Sequence, residues 1–130
     1  MKIWDLNGSL DSALEIIYDH QNQVKSIDTE GKLLGSFDID GSIYLRDIND
    51  PQQIISDFKV NSPFEHNKIG ILILSQEQIA LSYNSCVEVY GLHGRFCASF
   101  DFDCKVVYIT HFKGYLVAGM NNLKKNHLII

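Results

Sequence analysis

Little in this chain is prolonged. Its best apolar run, "IGILIL" (69–74), is far shorter than the ~18 residues that cross a membrane as a helix, so no membrane span is expected. The opening "MKIWDLNGS" lacks the charged-then-apolar layout of a secretory signal. Basic residues are in deficit, 11 against 16 acidic, for a net charge of −5. A nucleic-acid surface needs the opposite balance, because it must displace counterions from phosphates. Lys124–Lys125 is the one basic pair. The three cysteines, Cys86, Cys97 and Cys104, form an odd set without a CxxC. They read as buried free thiols in a reducing compartment, cytoplasmic or nuclear. Five histidines (20, 66, 93, 111 and 127) show no zinc-ligand spacing, and no glycine-rich phosphate loop is present. No metal and no cofactor are expected. Carboxylates are plentiful but fall in turns, where Asp is favoured for backbone reasons. A Cys97–His111 pair is conceivable as nucleophile and base, but Cys97 reads as an interior strand position.

Two prolines in 130 residues leave room for extended chain, and 45% hydrophobic content argues for a globular domain. Short β-type runs fill it: "ALEIIY", "VKSI", "KLLGSF", "SIYLRDI", "IISDFKV", "IGILIL", "QIALSY", "CVEVY", "RFCASF", "KVVYIT", "YLVAGM" and "HLII". Gly, Asn, Asp and Ser separate them, and no helical pattern intervenes. Such spacing predicts an antiparallel all-β fold. "DIDG" (38–41) predicts a tight turn between "KLLGSF" and "SIYLRDI".

The runs repeat. "KIWDL" and "YLRDI" end alike, with Asp5 and Asp47 separated by 42 positions, and Gly91 takes the same slot 44 further on. "LLGSF", "IALSY" and "LVAGM" place Ser36, Ser82 and Gly119 just before a larger side chain. The expectation is that a neighbouring strand approaches closely there. A period of about 40–45 residues with four strands per unit is a propeller-blade signature. The units read as 1–6 (end strand of a preceding blade), 12–48, 54–91 and 95–130, the last cut short.

"IWD" (3–5), "DH" (19–20) and "DIDGSIYLRD" (38–47) resemble the WD-repeat family of β-propellers. The second unit keeps the rhythm but carries Tyr90–Gly91 at the dipeptide. The resemblance implies all-β, four-stranded antiparallel blades, about three of them, and therefore an incomplete propeller. It also implies a buried network linking a His before the first strand, a Ser on the second, a turn Asp and a Trp. Carried over, these are His20, Ser36 and Asp40, with Arg46 in the Trp slot next to Asp47, and with Trp4 and Asp5 in the isolated dipeptide.

In such a blade the loops before first strands and between second and third strands share one rim. Gln21, Asp38, Phe64, Glu65, His66, Asp101, Asp103, Lys124 and Lys125 fall on it and form the candidate partner-binding face. Phe64 is its aromatic anchor. The expected function is a non-enzymatic protein–protein interaction scaffold, a fragment or subunit of a larger propeller assembly. Its partners are other proteins, including a second propeller segment or a second copy. An RNA-associated propeller is the alternative, and the acidic charge weighs against it.

Overall fold

A computed structural model describes residues 1–4, 6, 8, 15–17, 19–60, 68–83, 85–122 and 125–129. Within them the chain is all-β and contains no helix. The strands are β1 (Lys2–Ile3), β2 (Glu15–Ile16), β3 (Val24–Glu30), β4 (Leu33–Asp38), β5 (Ser42–Asp47), β6 (Asp50–Lys59), β7 (Lys68–Ile73), β8 (Gln78–Tyr83), β9 (Cys86–Gly91), β10 (Phe96–Asp101), β11 (Lys105–Phe112), β12 (Tyr115–Asn122) and β13 (Lys125–Ile129). Neighbours in sequence pair antiparallel. They make a two-stranded sheet β1–β2, two four-stranded sheets, β3–β6 and β7–β10, and a three-stranded sheet β11–β13.

Turn chemistry explains the tight pairing. At the β4–β5 connection, the Asp38 carboxylate accepts the Asp40 and Ser42 amides, both at 2.9 Å. Gly41 closes the turn at φ 92°, a conformation that a Cβ would strain. β4 pairs with both β3 and β5, with Leu33 opposite Asp47 and Phe37 opposite Ile43.

The fourth strand of this sheet corrects the sequence reading. The unit 12–48 makes the 13–18 run this sheet's first, outer strand, but the fourth place belongs to β6, which pairs Phe58 with Ile43. Glu15–Ile16 pairs with β1 instead, and Ile17 and Met1 exchange backbone bonds of 2.8 Å. Sheets therefore run 24–59, 68–101 and 105–129, one strand later than the sequence units. A strand at the junction of two repeats has the same composition whichever sheet takes it, so periodicity alone does not say where to cut.

The three larger sheets stack face to face. Leu33, Phe37, Ile43, Leu45 and Val60 pack against Ile71, Ile73, Ile79, Leu81 and Tyr83. The opposite face of β7–β10 offers Leu72, Ala80, Val87 and Val89 to Val106, Ile109 and Ala118. The middle sheet is thus covered on both sides. This is why "ILIL" and "IALSY" are continuous apolar runs rather than alternating ones. Each large aliphatic buried here contributes on the order of 1.5–3 kcal/mol. Gly35 allows the first interface to close: a Cβ there would lie 3.2 Å from the Ile71 and Leu45 methyls. The close approach is therefore at Gly35, one residue before the slot assigned to Ser36. A Cβ on Gly119 would meet nothing nearer than 3.7 Å.

The inner strands meet edge to side. β3 supplies Ser26 Oγ to the Ile71 amide (3.1 Å) and Asp28 Oδ2 to the Ile73 amide (2.7 Å), capping the edge of β7 that no strand covers among the described residues. Connections gather on two rims. On one, Ile39 N bonds Gln23 O (3.0 Å), Val60 N bonds Gly41 O (3.0 Å) and Phe102 N bonds Ser85 O (2.7 Å). On the other, Ile48 N bonds Lys32 O (2.8 Å) and Leu92 N bonds Glu77 O (3.2 Å).

Candidate functional site

The most organised polar cluster lies on the face of β4–β5 turned away from the first core. Ser36 and Asp38 are two residues apart on β4 and share that face. His20 enters from the segment before β3. Its Nδ1 lies 2.9 Å from Asp38 Oδ2 and its Nε2 lies 2.7 Å from Ser36 Oγ. A carboxylate can only accept, so Nδ1 carries the proton and Nε2 accepts from the Ser36 hydroxyl. Tyr44, opposite Ser36 on β5, packs edge-on to the imidazole with ring centroids 4.6 Å apart.

Arg46 extends the cluster. It is 1% exposed, opposite Leu34, and its guanidinium pairs with Asp19 and donates from Nη1 to Pro51 O at 3.0 Å. Burial pulls its pKa below the ordinary value. Tyr44 also lies beneath it, 5.6 Å from ring centroid to Cζ. The adjacency of Asp19 and His20 in sequence thus ties two strands at once.

Three expected members lie elsewhere. Asp40 is not the network carboxylate; Asp38 is. Position 40 sits in the turn, beyond the last inward-facing residue of β4, and its carboxylate reaches Lys59 Nζ at 2.6 Å. That bond and charge hold the exposed Lys59 above its usual pKa. Asp47 caps the β5–β6 turn by accepting the Asn49 amide at 2.9 Å. Trp4 is 44% exposed, with Lys2 Nζ 5.9 Å over its ring, and joins no network among the described residues. Asp5 lies outside the described residues. The signal that selects Asp38 is the Ser-x-Asp spacing on one strand face.

On the candidate partner rim, Gln21, Asp101 and Asp103 are exposed. Asp38, assigned to that rim from sequence, is 1% exposed and belongs to the buried network instead. Phe64, Glu65, His66 and Lys124 lie outside the described residues, and Lys125 is described only as backbone in β13. His66 stands 16 residues before Ser82, the same interval as His20 before Ser36. Cys97 is exposed rather than interior, because the β9–β10 register skips from Phe96 to Ala98 and bulges it outward. Cys86 is half-buried, lies 3.4 Å from Ser99 Oγ, and is raised in pKa by burial.

A second polar cluster borders the first core. Tyr90 donates to Glu88, and the same carboxylate acts on the phenol of Tyr83. Burial, followed by the Glu88 bond and charge, pushes both phenols well above their ordinary pKa.

The Ser36–His20–Asp38 distances are those of an acyl-transfer triad. The surroundings are not. Ser36 has no exposed surface, the His20 side chain is 6% exposed, and Asp38 spends its second oxygen on two turn amides. An attacking hydroxyl needs a space beside it for the reacting carbon, and Ser36 has none. The cluster's chemistry is mutual satisfaction of buried polar groups. Among the described residues no three His, Cys, Asp or Glu side chains are placed to hold a metal ion.

Comparison with protein-family models gives no match, and none of the curated proteins matches. Solved structures do. The crystal structure of the computationally designed Ika8 protein superposes with a TM-score of 0.65 at 14% identity, over 84% of this chain and 34% of that one. The computationally designed Ika4 protein gives 0.63 at 16% identity, over 81% and 64%. At these identities the likeness concerns the fold alone. The chain spans about a third of the length of the first protein and under two thirds of the second.

Proposed function

We propose that the chain is a non-enzymatic interaction scaffold of the WD-repeat type, forming an arc of a β-propeller. The observation that carries this is the repeated sheet. β3–β6 and β7–β10 have the same strand order, β11–β13 begins a third in that order, and the turn contacts among the described residues fall on two rims. Such a stack keeps its loops in fixed relative positions, which suits docking of proteins across a rim. The His20–Ser36–Asp38 lock supports the reading because it spends catalytic-type side chains on rigidity.

The docking rim on this reading carries Gln21, Asp101 and Asp103, and the reducing cytoplasm is its setting. Affinity capture with the chain as bait tests it. A partner retained by wild type and lost on joint Gln21→Arg and Asp103→Arg substitution, at unchanged Tm, is the expected result. A substrate turned over by the purified chain, with turnover abolished by Ser36→Ala, would contradict the scaffold reading.

A further inference from the structure

The two gaps between neighbouring sheets end differently on the second rim. At the first gap, Gln76 in the 74–77 turn reaches back to the first sheet and donates from Nε2 to Glu30 O at 3.3 Å. It fills the space beside Gly31, where a Cβ would lie 2.7 Å from that nitrogen. The shorter 113–114 turn has no equivalent for the second gap. Gly114 has no side chain, and a Cβ there would meet nothing within 4 Å. Lys113 lays its Nζ 5.3 Å over the Phe112 ring, which belongs to the other face of β11 from His111. Among the described residues the second gap therefore stays open, as a pocket of about 250 Å³.

Strand parity sets its walls. Leu74 and Leu116 pack against the end of the second core and form the floor. Gln78 shares a strand face with Ala80 of that core, and His111 shares one with Ile109, opposite Leu116. An amide and an imidazole thus flank an apolar floor. No Asp, Glu, Lys or Arg lines the pocket, and Glu30 Oε2 lies 3.6 Å from His111 Nε2.

We propose that this pocket receives a tyrosine side chain of a partner protein. Its volume falls below the ~300–1,000 Å³ of small-molecule sites and suits one aromatic side chain. The leucine floor takes the apolar ring. The phenolic hydroxyl both donates and accepts, and so answers an amide and an imidazole. Phenylalanine would cover those two groups without pairing them. The Glu30 charge beside His111 disfavours an anion, and a cation would leave water for a lining without a carboxylate. The inference rests on the scaffold reading for the source of the side chain, and it puts a contact on the second rim as well as the first.

The test is a titration of the ¹⁵N-labelled chain with N-acetyl-tyrosinamide, with N-acetyl-phenylalaninamide as control. Expected are saturable shifts at the Gln78 and Gly114 amides, with the tyrosine derivative bound about fivefold more tightly, the worth of one neutral hydrogen bond. Gln78→Leu, at an exposed position, should erase that preference, and His111→Leu decides the matter if Gln78→Leu does not fold. Gln78→Trp, which fills the pocket, should abolish saturation. Equal binding of the two derivatives, non-saturable shifts, or undiminished binding by Gln78→Trp would overturn the proposal. The two readings fail separately. A partner captured on the first rim, with no tyrosine preference here, overturns this inference and leaves the scaffold standing. Saturable tyrosine binding with no partner captured upholds the pocket and counts against the scaffold.

Discussion

Asp38 and Asp40 are the same residue type two positions apart, and they do different work. Asp38 accepts from His20 and two turn amides in a nearly dry setting, whereas Asp40 meets Lys59 in solvent. Asp38→Ala should cost about 3 kcal/mol in urea unfolding, because it strands buried donors. Asp40→Ala should leave the midpoint nearly unchanged, since exposed pairs contribute little. Equal losses would show that the network is misassigned. Tyr83 and Tyr90 give the pH counterpart. Their folded pKa values are raised by burial, so the folded state holds its phenolic protons longer than the unfolded one. Their contribution is whole below the unfolded tyrosine value of about 10 and is lost as pH rises beyond it. Stability should therefore fall above about pH 10. Absorbance titration should show Tyr83 and Tyr90 ionising only together with unfolding. Ionisation of both before the fold is lost would refute this. His20, Ser36 and Arg46 were legible in the sequence because motif spacing marks them. The carboxylate was not, because "DID" offers two candidates and only strand parity separates them.

The same limit holds for elements. Twelve strand-like runs were readable from turn residues and apolar content, and "DIDG" correctly marked its turn, since Gly41 and Asp38 are needed there for backbone reasons. Sheet membership was not readable, because nothing in the composition of 13–18 or 50–59 states which neighbour it joins. The small-residue slot was misplaced by one residue for the same kind of reason. In a strand, adjacent positions face opposite sides, so Gly35 serves the sheet interface while Ser36 serves the network. Gly35→Val should cost about 2 kcal/mol by overpacking against Ile71, Ile73 and Leu45. Gly119→Ala should cost less, since its nearest contact is an ordinary 3.7 Å. Urea midpoints for the two variants check this, and a tolerated Gly35→Val would mean that the two sheets do not approach so closely.

At the scale of the whole molecule, the stack covers its middle sheet on both faces, and among the described residues nothing covers the far face of β11–β12. Tyr108, Phe112 and Tyr115 are each more than 60% exposed, with Phe112 directly opposite Tyr115. Exposed aromatics grouped on one sheet face favour association over solvation. The scaffold reading makes this face the place where the arc continues, into another segment or a second copy. Sedimentation velocity over a rising concentration series tests that claim most directly. The account predicts that the wild-type chain associates and that Tyr108→Lys with Phe112→Lys shifts it to monomer without loss of fold. A wild-type chain that stays monomeric across the series would contradict it.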